Sequence, residues 1–232
     1  MSWGRLGIWS GTHGTGEGMA MPCCRQFRVR RRAGLALLLT GVLVLAAPPS
    51  RAATPGPDPS QIIRNFYAEL LDVMQHAASL GPKGRYQKLE PVILRTCDIP
   101  FMARLTIGPT WARLTPDQKQ RAAKAYGRYL TAVYASQFDG YSGEKFEVVG
   151  EQKITHGLLV RSRIVKSTGE PVTIDYRVHD NAIGWQIRDV YETGTISELA
   201  TQRSDFARIL RTSGIDGLIA TLNKKADDLQ QA

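Results

Sequence analysis

The sequence predicts an α+β domain: N-terminal helices, then a four-stranded antiparallel meander curved over them, then two C-terminal helices. Three observations predict it. Apolar residues recur at helical spacing from about Ser60 to Phe138, alternate strictly from Phe146 to Ile187, and return to helical spacing after Gly194.

The elements follow in order. Ile63, Phe66, Tyr67, Leu70, Met74 and Ala77 share one face of a helix over Ser60–Leu80, which Gly81-Pro82 ends. A second helix covers Arg85–Thr96. Asp98 caps a third that runs to Ile107, where Gly108-Pro109 breaks the chain. Thr115-Pro116-Asp117-Gln118 is a start signal: Thr caps, Pro takes the first helical position, and Gln closes a capping box. The helix that follows reaches Phe138, with a stripe of Ala122, Tyr126, Leu130, Val133 and Tyr134 and with Tyr129 at its edge.

Period two then takes over. Phe146 and Val148 begin the first strand. Leu158, Val160 and Ile164 share a face of the second, with Arg161 and Arg163 opposite. In the third, Val172, Ile174, Tyr176 and Val178 alternate with Thr173, Asp175, Arg177 and His179. Trp185 and Ile187 lie in the fourth. Short turn-like links, including Ser167-Thr168-Gly169 and Asp180-Asn181, make this an antiparallel meander. A helix over Ile196–Arg211 follows. Gly214 ends it, and Asp216 caps a last helix carrying Leu218, Ile219 and Leu222.

Residues 1–53 read as a targeting segment and not as fold. A basic region (Arg25, Arg28, Arg30, Arg31, Arg32) precedes an uncharged apolar stretch, Gly34–Ala47, then Pro48-Pro49 and small residues to Ala53. The stretch is shorter than the roughly 20 apolar residues of a membrane span. This order predicts export by a cleaved signal peptide, with translation starting at Met19 or Met21. The alternative is an uncleaved anchor. Residues 54–59 read as a flexible leader, and residues 60–232 as a single domain.

Setting residues 1–53 aside changes the charge argument. Seven of the 30 Lys+Arg and one of the 21 Asp+Glu fall there, so the formal +9 of the whole chain becomes +3. The net-charge case for a chain built to hold nucleic acid thereby mostly disappears, and no nucleic-acid partner is expected. Cys23 and Cys24 also go, leaving Cys97 without a disulfide partner in the domain.

No catalytic constellation stands out. The sequence has no phosphate-binding glycine loop, and His76, His156 and His179 lack metal-ligand spacing, so neither a cofactor nor a metal is expected. Strict alternation places Asp189 on the face of Trp185 and Ile187. A carboxylate there could act as a general base with a raised pKa, pair with an arginine, or be turned outward by a bulge. Apolar surface is abundant instead. Tyr126, Leu130 and Tyr134 on the long helix would face Phe146, Val160, Ile164, Ile174, Tyr176 and Trp185 on the strands. Such faces form either a filled core or the wall of a cavity for an apolar ligand, and periodicity does not separate the two.

The residues also resemble a known family. Gly108-Pro109-Thr110-Trp111 followed by Leu114-Thr115-Pro116-Asp117-Gln118, then Phe138-Asp139-Gly140-Tyr141, Pro171–Tyr176, Trp185–Val190 and Leu210–Leu218 resemble, in order and spacing, the MlaC family of periplasmic phospholipid-binding proteins. Phe138–Gly143 and Gly194–Ala200 are similar to its hopanoid-associated HpnM branch. The resemblance implies a periplasmic shuttle with no cofactor and no catalysis, carrying a phospholipid or hopanoid-type lipid. It also implies exchange with an inner-membrane ABC transporter complex and an outer-membrane lipoprotein complex. The lipid pocket it implies is assigned to Phe101, Leu105, Tyr126, Leu130, Tyr134, Phe146, Val148, Val160, Ile164, Ile174, Tyr176, Trp185 and Ile187. The competing readings are an enzyme using Asp189 and a membrane-tethered scaffold.

Overall fold

The computed structural model describes residues 58–193 and 195–231. The targeting segment and most of the leader lie outside them. The leader's last two residues belong to the first helix instead: the Asp58 side chain accepts from the Ser60 amide, and Pro59 takes the first helical position.

Helix α1 spans Pro59–Gln75 and α2 spans Ala77–Thr96. The long first helix expected to reach Leu80 is therefore divided at His76, whose backbone (φ −105°, ψ 12°) leaves the helical region. Gly81 does break the chain: at φ 61° it separates the first turn of α2 from the rest. Helix α3 is Ile99–Ile107, capped by Asp98, and a 3₁₀ turn over Gly108–Arg113 follows. Helix α4, Pro116–Gln137, starts on the expected capping box, with both reciprocal bonds formed between Thr115 and Gln118.

The sheet has five strands and not four: β1 Lys145–Ile154, β2 Gly157–Val165, β3 Pro171–Asn181, β4 Gly184–Glu192 and β5 Ile196–Ser197. They are antiparallel and lie in sequence order. The extra strand takes the two residues expected to open the fifth helix. Ile196 and Ser197 pair with Glu192 and Tyr191, where β4 would otherwise leave backbone groups unpaired. The other end of that edge is filled from far away in sequence: the Asp98 amide donates to the Ile187 carbonyl at 2.9 Å. The Gln186 side chain adds bonds to the carbonyls of Arg95 and Cys97.

Helix α5 spans Glu198–Leu229, capped by Ser197 and broken at Gly214 (φ 64°), which gives the two expected helical pieces. Asp216 is engaged by Arg121 across to α4 at 2.9 Å. The core forms where α1, α2 and α4 meet one face of the sheet. Ile63, Leu70, Leu89, Ile93, Val160 and Ile187 are fully buried there. No described helix is long and apolar enough to cross a membrane.

Candidate functional site

Cross-strand partners share a face, so the register identifies the wall of the sheet that the helices cover. Phe146, Val148, Val160, Ser162, Ile164, Ile174, Tyr176, Val178 and Ile187 lie on it. Helix α1 brings Phe66 and Tyr67 against this wall, and the end of α4 brings Tyr134 and Phe138.

These aromatics form a closed circuit. Phe66 meets Tyr134 at 5.5 Å between ring centroids, Tyr134 stacks on Phe138 at 5.8 Å, and Phe138 meets Phe146 at 6.1 Å. Phe146 meets Tyr67 at 4.8 Å, Tyr67 meets Tyr176 at 5.7 Å, and Tyr176 returns to Phe66 at 6.2 Å. Edge-on and offset pairs of this kind add ~0.5–1.5 kcal/mol each beyond area burial.

The hydroxyls of the circuit differ. Ser162 donates its proton to the Ile174 carbonyl, so the Tyr67 hydroxyl, 2.5 Å from Ser162 Oγ, is the donor to Ser162. Burial pushes the Tyr67 hydroxyl up to about 12. The Tyr134 hydroxyl has no hydrogen-bond partner among the described residues. Burial pushes it well above the usual tyrosine value, yet the residue keeps accessible surface. Phe146 and Val148 on the sheet wall are also half-buried.

The other pocket candidates divide. Val160, Ile164, Ile174, Tyr176 and Ile187 are closed off as core on the same face, and Leu130 is buried on α4. Tyr126 turns toward α5, where its hydroxyl donates to Gln202 Oε1 at 2.8 Å. Phe101 lies outside the circuit, its ring 5.2 Å from the guanidinium of Arg104 and 4.2 Å from that of Arg188. Leu105 is half-buried on α3, and Trp185 is half-buried beside the β3–β4 turn, opposite Asp180. Phe66, Tyr67 and Phe138 complete the circuit and were not among the candidates. The adjacent aromatics Phe66 and Tyr67, both buried on α1, were the available signal.

Asp189 is corrected by the register. Val178 pairs with Ile187, but Arg177 pairs with Asp189, so Arg188 is an extra residue. This bulge reverses the alternation and turns Asp189 to the face away from Ile187. There it accepts from the Ser197 hydroxyl (2.7 Å) and from the amides of Val190 (2.9 Å) and Leu199 (3.3 Å). Burial raises its pKa, and those donors oppose the rise. Its role is to tie β4 to the start of α5. No group of acidic, His or Cys side chains among the described residues could hold a metal ion.

The fold is thus a helical layer on one face of an antiparallel sheet, with six aromatic rings packed between them. The MlaC protein family matches residues 64–224, and the chain belongs to that family. It is 22% identical over 153 residues to the intermembrane phospholipid transport system binding protein MlaC of Haemophilus influenzae, covering 60% of this chain and 71% of that protein. Among solved structures, a phospholipid-binding protein from Ralstonia solanacearum, in complex with a phospholipid, shares the fold. Its TM-score is 0.65 at 21% identity, covering 74% of this chain and 98% of that one.

Proposed function

We propose that this protein is a non-enzymatic lipid carrier that holds the apolar part of a lipid in the crevice bordered by Tyr134, Phe146 and Val148. The observation that carries the reading is the enclosed but accessible Tyr134, whose hydroxyl has no partner among the described residues, in a fold shared with phospholipid-binding relatives. Burial supplies the affinity: each methylene removed from water contributes about 0.8 kcal/mol, so acyl chains bind without any catalytic group. Lipid enters by parting the aromatic circuit, and Val160, Ile174 and Tyr176 then form its floor. The carrier works in the periplasm, between an inner-membrane ABC transporter complex and an outer-membrane lipoprotein complex. The names of its relatives favour phospholipid as cargo. The segments Phe138–Gly143 and Gly194–Ala200 favour a hopanoid-type lipid.

Native mass spectrometry of the exported protein tests the reading, with bound lipid expected and its class read directly. Tyr134→Glu should lower lipid occupancy more than it lowers stability. Val160→Glu buries a charge in the core and should lower stability and occupancy together. Lipid-free protein that takes up nothing from vesicles would overturn the proposal.

A further inference from the structure

A second site lies on the helical side, away from the sheet. The end of α3, the 3₁₀ turn and α5 border a groove of about 450 Å³. Arg113 comes from the turn, and Arg203 and Arg211 come from one face of α5, eight residues apart. All three are exposed, and none has an ion pair or hydrogen bond among the described residues. No carboxylate lines the groove, and its floor includes Ile107 and Leu210.

One of these cations lies over the backbone at the start of the 3₁₀ turn. Gly108 sits at φ 67°, and a Cβ there would lie 2.9 Å from Arg203 Nε and 3.2 Å from its Cζ. The backbone conformation favours glycine, and the missing Cβ leaves room for the Arg203 side chain to lie close over it. The Arg203 guanidinium is therefore seated against backbone and not against a counter-charge.

We propose that this groove is a docking site for the phosphodiester headgroups of an anionic bilayer, distinct from the cargo crevice. Three guanidiniums converge on one concavity as donors only. A phosphodiester is a monoanion that accepts and does not donate, so it matches such a wall. A peptide segment would bring an amide donor with every residue, for which the groove's side chains offer only the Thr110 hydroxyl as acceptor. Docking here orients the carrier on a membrane before any lipid moves, and it does not depend on what the crevice carries.

The test compares the exported protein with Arg113→Gln/Arg203→Gln/Arg211→Gln by co-sedimentation with vesicles of phosphatidylglycerol or of phosphatidylcholine. Expected is preference for phosphatidylglycerol, weakened by salt, and roughly a hundredfold loss in the triple variant at a few-fold per arginine. Thr110→Asp, which keeps all three arginines, should also weaken binding. Cargo occupancy by native mass spectrometry should not change in either variant, so failure here and failure of the carrier reading are separable. Equal binding of the two vesicle types, or an unaffected triple variant, would overturn the proposal. Inorganic phosphate binding without vesicle binding would also overturn it, as would a polyglutamate peptide that binds through these arginines when vesicles do not.

Discussion

Tyr67→Phe and Tyr134→Phe make a matched pair. Each removes one hydroxyl from the aromatic circuit and leaves ring volume unchanged. The Tyr67 hydroxyl donates to Ser162 inside the core, and Ser162 keeps its own bond to the Ile174 carbonyl when that donor is lost. The loss is thus one buried neutral hydrogen bond, about 1 kcal/mol, and not the larger penalty of a stranded donor. Tyr134 makes no such bond among the described residues and keeps accessible surface, so its hydroxyl should matter by less than about 0.5 kcal/mol. Urea unfolding followed by tryptophan fluorescence resolves this difference if the slopes are equal. In thermal melts, Tyr67→Phe should fall by roughly 2–4 °C and Tyr134→Phe should hardly move. Equal losses, or a larger loss at Tyr134, would refute the crevice beside Tyr134 and make the circuit ordinary core.

Three further outcomes are expected. Asp189→Ala strands three donors and should destabilise by about 2–3 kcal/mol in urea unfolding, with lipid occupancy per folded molecule unchanged; lost occupancy in folded protein would return Asp189 to the site. Burial, helped by the charge of Glu198, pushes Glu192 from 4.5 up to about 7. Its proton is held more tightly in the folded state, so stability is fully present below pH 4.5 and falls as pH rises toward 7; in a pH series of melting temperatures, Glu192→Gln should make that fall shallower. Burial pushes the Cys97 thiol up to about 12, and Ellman's reagent at pH 8 should label it only after unfolding, so rapid labelling of native protein would contradict its burial.

Local chemistry was legible in the sequence, and long-range pairing was not. The capping box at Thr115 and Gln118 and the breaks at Gly81 and Gly214 are decided within a few residues, and each stands where the pattern places it. The alternation of Ile174, Tyr176 and Val178 also holds. Strict alternation could not choose among the alternatives for Asp189, because the bulge that turns it depends on the partner strand, which one strand's pattern does not contain. Ile196 and Ser197 became a strand because an edge needed covering, a demand invisible from their own neighbours. For the site, Tyr134, Phe146 and Tyr176 were on the right faces. That Phe66, Tyr67 and Phe138 would complete the circuit depends on how α1 and the end of α4 meet the sheet, which spacing along one helix does not encode.

The main-chain bond from Asp98 to Ile187 has a mechanical consequence. It staples the junction of α2 and α3 to β4, and Asp98 also holds Arg188 of the same strand at 2.9 Å. At the far edge, among the described residues, β1 has no such backbone clasp: near its end, Glu151 accepts from Ser60 at the start of α1. The layers are thus hydrogen-bonded differently at their two edges: main chain to main chain at β4, and through the Glu151 carboxylate alone at β1 among the described residues.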